Sequence, residues 1–226
     1  MRRLLFFVLA LGINMPALHA KEWTHPKLKS KEKIIRTVAI VPPRVVINKA
    51  GVKGSQSMLQ ESEQVGAEIT RIISQDLTQR GFTVRSDQFS AASLNGNEGL
   101  KYSMADLQNR YDQLAEQLLR KPKDVTKGRF SLGDQVSTFG STAAVDALVF
   151  VRSSGTMLTG RKKAFGLLVG GAKNHSVVST ISIVDAQTGE VLFVSVLGAV
   201  GNFVEHPDKT FEKPISNAFK KFVNAK

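Results

Sequence analysis

The apolar positions of this chain fall into segments of different period. TVAIV (Thr37 to Val41) is β-branched and ends at Pro42-Pro43, which cannot extend a ladder, so a buried strand is predicted there. The stretch from there to Ser55, with Asn48, Gly51 and Gly54, reads as loop. From Ser57 the period lengthens. Val65, Ile69, Ile72, Ile73 and Leu77 share one helical face, Ser57 with Gln60 supplies a capping-box start, and Gly81 a stop. Phe82 to Arg85 is a short strand, and the Ser/Asn/Gly-rich stretch from Ser86 to Leu100 a loop. Ser103 with Asp106 caps a second helix, whose stripe of Leu107, Tyr111, Leu114 and Leu118 is halted by Pro122. A third helix starts near Ser131, turns Leu132, Val136, Phe139 and Ala143 inward, and leads into the strand ALVFV (Ala147 to Val151).

Two longer strands follow, SVVSTISIV (Ser176 to Val184) and EVLFVSVLGAV (Glu190 to Val200). DAQTG (Asp185 to Gly189) joins them as a hairpin loop, with Asp185 organising the turn and Gly189 free to take positive φ. A last helix aligns Phe211, Ile215, Phe219 and Phe222, with Pro214 at its first turn or at a kink. The order β-α-β-α-α-β-β-β-α predicts an α/β fold: a single mixed β-sheet with an antiparallel C-terminal hairpin and helices packed against it.

The first twenty residues change the picture of where this fold works. MRRLLFFVLALGINMPALHA places two arginines before an apolar run from Leu4 to Ile13, about ten residues and too short to cross a ~30 Å hydrocarbon core. Residues 1–20 therefore read as a signal peptide cleaved after Ala20, residues 21–36 as a flexible basic leader, and residues 37–226 as one α/β domain. The expected location is the periplasm. The chain has no cysteine, so it carries neither disulfides nor the acylated cysteine of a lipoprotein.

There are 31 Lys and Arg against 19 Asp and Glu, and the excess persists once Arg2 and Arg3 are removed. Such a surface favours anionic partners. Export argues against nucleic acid, and no recognition motif accompanies the charge. An anionic membrane surface or another envelope protein fits better.

Candidate chemistry is sparse. In GRKKAFGLLVGGAKN (160–174), Gly166 and Gly171 have the spacing of a phosphate loop, yet Ala172 stands where the lysine belongs and a strand follows where a helix is needed. The apolar Phe165, Leu167, Leu168 and Val169 sit among Arg161, Lys162, Lys163 and Lys173. That combination makes these eight residues candidates for a protein interface or a peripheral contact with an anionic membrane; the competing reading folds the four apolar residues under the sheet. His25, His175 and His206 share no local spacing and read as exposed, so no metal site and no cofactor is expected. No nucleophile elbow is present, and Asp146 and Asp185 read as turn and cap residues, leaving no catalytic residue to nominate. Trp23 and its basic neighbours read as part of the leader or as a short interaction arm.

VAIVPP, the helix ending in QRGFTV, FGSTAAVDALVFV, STISIVDAQTGEVLFVS and the terminal amphipathic helix together resemble the periplasmic superfamily that includes CsgG, LpoB and the amino-terminal domain of TolB, over about residues 37 to 224. The most specific pieces are Val145-Asp146-Ala147, which leads into the strand, and the turn from Asp185 to Gly189. The resemblance implies a non-enzymatic envelope protein that binds other envelope proteins or associates with itself. The alternatives are a CsgG-like oligomeric secretion pore and an uncharacterised hydrolase.

Overall fold

The structure, a computed structural model, describes residues 21–51, 54–85, 87, 89–158 and 175–222. Its centre is one mixed sheet of eight strands with helices on both sides. The strands are β1 (Lys21–Thr24), β2 (Thr37–Ile40), β3 (Arg44–Gly51), β4 (Gly54–Ser57), β5 (Thr83–Val84), β6 (Ala147–Leu158), β7 (Ser176–Asp185) and β8 (Val191–Val200). The helices are α1 (Pro26–Lys29), α2 (Leu59–Gln79), α3 (Ala91–Asn95), α4 (Glu98–Arg120), α5 (Val136–Ala143) and α6 (Pro207–Phe219), with a 3-10 turn at Pro122–Lys127.

β6 organises the sheet because both of its edges are occupied. On one side, β2 pairs in parallel with its first residues and β3 in parallel with Arg152 to Leu158. On the other, β6, β7 and β8 form the antiparallel meander expected of the last three strands. Period two then sorts the side chains. Val38, Ile40, Ala147, Val149 and Val151 face the core built with α2 and α6, whereas Ala39, Val41, Leu148 and Phe150 face the one built with α4 and α5.

Several boundaries differ from the sequence reading, for identifiable reasons. Residues 21–36 are not a flexible leader. β1 pairs antiparallel with β8, Leu28 and Ile35 are buried, and Trp23 is half-buried. Lysines that look solvated in composition are partnered: Lys27 with Glu190 at 2.6 Å and Lys33 with Asp185 at 2.8 Å. The stretch before Ser55 is not loop, because β3 and β4 form a hairpin there, with Ile47 inward. Ser57 does not cap α2. The cap residue is Met58, without a side-chain bond, while the Ser62 hydroxyl accepts from Ile47 N at 3.0 Å and donates to Met58 O at 2.6 Å. The segment 86–100 contains α3, and α4 starts before Ser103, since the Asn97 side chain accepts from Leu100 N at 3.0 Å and nucleates the first turn earlier. α5 begins at Val136, not near Ser131, and β6 runs on from Val151 to Leu158 because β3 pairs with the extension. Pro214 lies inside α6, whose first turn is taken by Pro207.

Candidate functional site

The candidates Arg161, Lys162, Lys163, Phe165, Leu167, Leu168, Val169 and Lys173 lie outside the described residues, but the sheet fixes where their segment is attached. The chain leaves β6 at Leu158 and returns at His175. Those ends are adjacent: Thr156 is the register partner of Ser176, and Leu158 N donates to His175 Nδ1 at 2.9 Å. A further backbone bond, from Gly201 N to His175 O at 3.0 Å, ties the return point to the end of β8.

The same end of the sheet carries a face that the described helices leave open. Val46, Ser154, Val178 and Gly198 stand in one row across β3, β6, β7 and β8. Asn48, Thr156, Ser176 and Val200 form the next row outward. Val46 is 50% exposed, Val178 37% and Val200 57%, and Ser154, Thr156 and Ser176 are exposed with them. On the reverse side of the same strands Ile47, Ser153, Val177 and Leu197 are buried. The boundary between covered and open face is charged. Arg44 on β3 donates to Asp112 of α4 at 2.7 Å, and Arg152 on β6 donates to Glu116 of α4 at 3.2 Å.

The two carboxylates that carry the sequence resemblance are occupied by backbone. Asp146 Oδ2 accepts from Arg36 N, Thr37 N and Thr37 Oγ1, each at 2.9 Å, and so joins the starts of β2 and β6. Burial raises the Asp146 pKa, but the N–H groups of Arg36 and Thr37 and the Thr37 hydroxyl outweigh it and hold the carboxyl below its usual range. Asp185 Oδ1 accepts from Gln187 N at 2.8 Å and Thr188 N at 3.2 Å, while Oδ2 takes the Lys33 ammonium. Gly189 closes this turn at φ +71, as the hairpin reading requires.

A cleft beside the turn gathers Asp146 with Ser137, Ser141 and Gln187, and no described histidine lines it. The histidines lie on separate elements. His206 is exposed before α6 and His175 binds between strand ends. His25 departs from the exposed reading: it is 4% exposed, because β1 inserts beside β8 and carries it under the loop at Gly128. Among the described residues no three His, Cys, Asp or Glu side chains are grouped so as to hold a metal ion, and no helix is long and apolar enough to cross a membrane.

No protein-family model matches the chain, and no curated protein matches it in sequence. Solved structures similar to it include a PelC dodecamer from Paraburkholderia phytofirmans, at 12% identity and a TM-score of 0.45, covering 92% of this chain and 99% of that one. The lipoprotein GNA1162 from Neisseria meningitidis is similar at 10% identity and TM-score 0.41, covering 80% of this chain and 99% of that one. The LpoB C-terminal domain from Salmonella enterica, whose family the sequence motifs resemble, is similar at 13% identity and TM-score 0.29, covering 76% of this chain and 92% of that one.

Proposed function

We propose that the chain is a non-enzymatic periplasmic envelope protein, exported without a lipid anchor, that acts as a protein-binding or assembly module. The observation that supports this most is the use made of its most specific motif. Asp146, Asp185 and Gly189 are consumed in joining strands and closing a turn, so these residues specify a scaffold and not a reaction. A scaffold of this kind acts through what it displays. Here the strand ends that the basic and apolar stretch with Phe165, Leu167, Leu168 and Val169 connects in sequence lie at an open valine and hydroxyl face.

The contact in this reading is with another envelope protein or a second copy of the chain, with Arg161, Lys162, Lys163 and Lys173 adding attraction to an anionic surface. Replacing Leu167→Asp together with Leu168→Asp tests it. The double variant is expected to keep the parent melting temperature while losing self-association by light scattering or flotation with anionic liposomes. Loss of several kcal/mol of stability would place the leucines in the core, since burying an unpaired carboxylate is costly. Unchanged stability with unchanged association would make the segment a solvated connection.

A further inference from the structure

We propose that residues 21–29 form an acid-released latch, in which protonation of His25 detaches β1 from the edge of β8. His25 stands where β1 ends and α1 begins. Its backbone N–H donates to Leu192 O at 2.8 Å, continuing the β1–β8 ladder, and its ring Nδ1 accepts from Lys27 N at 3.1 Å as the cap of α1. The other ring nitrogen, Nε2, is buried with no hydrogen-bond partner. It faces the backbone of Gly128 so closely that a Cβ there would lie 2.7 Å from it.

This geometry accepts only the neutral ring. An imidazolium carries a proton on both nitrogens. With Nδ1 accepting, the neutral ring already carries its proton on Nε2 beneath Gly128, so the added proton goes to Nδ1, where it would meet the Lys27 N–H that this atom now accepts from. Docking of β1 and charging of His25 therefore oppose one another.

The charges around the ring do not reverse this. Burial lowers the His25 pKa, and Lys27 adds to that, while Glu190 and Glu32 oppose it. Glu190 is itself held by Lys27 at 2.6 Å. On the neighbouring turn, Asp124 is engaged by Lys127 at 3.6 Å and Arg129 at 3.9 Å. A histidine whose pKa is lowered by docking stabilises the docked state fully above its free value, about 6.5. That contribution is lost as pH falls from there through the docked-state value. Release uncovers the outer edge of β8, a row of backbone donors and acceptors open to pairing with an extended strand.

The single tryptophan, Trp23, lies in β1 and packs against the α4–α5 core, so its emission reports docking directly. Emission and amide exchange are followed from about pH 8 to about pH 5, spanning the free histidine value, for the parent and for His25→Asn. The asparagine oxygen can accept from Lys27 N but does not titrate. In the parent, Trp23 emission is expected to shift to the red, and residues 21–29 to lose protection by up to about tenfold per pH unit, with far-UV circular dichroism unchanged. In His25→Asn both signals should be flat. An equal pH dependence in the variant, or a parent shift that coincides with global loss of secondary structure, would overturn the latch. If the variant does not fold, exchange in the parent decides: acid loss confined to residues 21–29 supports the latch, and uniform or absent loss refutes it.

Discussion

Thr37 and Asp146 hold one another through four hydrogen bonds: the Thr37 amide and hydroxyl donate to Asp146 Oδ2 at 2.9 Å each, and Asp146 N is shared between Thr37 Oγ1 and Thr37 O, both at 3.0 Å. The residues are 109 positions apart, so this exchange sets the register in which β2 enters beside β6. Asp146→Ala would strand the amides of Arg36 and Thr37 and is expected to cost about 1–3 kcal/mol in denaturant unfolding. Its pH signature is specific. A carboxyl held below its ordinary value of about 3.9 contributes stability above that pH and loses it as the pH falls further. The parent should therefore lose stability more steeply than Asp146→Ala in that acid range, and parallel curves would show that Asp146 is not the anchor.

The DAQTG turn offers a test of backbone conformation. Gly189 has φ +71, and a Cβ added there would sit 2.9 Å from Gly133 N and still closer to Gly133 O. Gly189→Val thus combines left-handed strain of about 1–2 kcal/mol with overpacking of about 1–3 kcal/mol. A drop of at least several degrees in melting temperature is expected, larger than that of Gly189→Ala. An unchanged melting curve would contradict the close approach of the 131–133 loop.

Buried between α4 and the sheet, the Tyr111 hydroxyl lies 2.9 Å from Ser182 Oγ and 3.3 Å from Thr180 O. Burial pushes its pKa upward, so it remains a protonated donor. Tyr111→Phe leaves a buried serine hydroxyl without this partner and is expected to cost about 1–3 kcal/mol. Adding Ser182→Ala should recover part of that loss, because removing both partners of a buried bond is cheaper than removing one. Strictly additive losses would mean that the bond is not formed.

What was legible in the sequence was local. The stripe of Val65, Ile69, Ile73 and Leu77, the β-branched run at Val38 to Val41 and the Asp185–Gly189 turn are written in residues a few positions apart, and each is present as an element or turn. β1, β3 and the burial of His25 were not legible, because each depends on a distant partner: Lys21 pairs with Val196, Ile47 with Gly155, and the His25 ring with the backbone of Gly128. The basic residues before Thr37 misled for a related reason. Lys27 and Lys33 pair with Glu190 and Asp185, carboxylates that only the folded sheet brings to them. The interface candidates from Arg161 to Lys173 rest on composition and on the place where their segment joins the sheet.

The most direct test of the proposed role is site-specific photocrosslinking in cells. A photoreactive amino acid replaces Phe165 in one strain and Leu119, 42% exposed at the C-terminal end of α4, in another. The account predicts that illumination joins position 165 to a second copy of the chain or to one envelope protein, identified by mass spectrometry, while position 119 stays uncoupled. No adduct at 165, or the same adducts from both positions, would contradict a binding role for this segment.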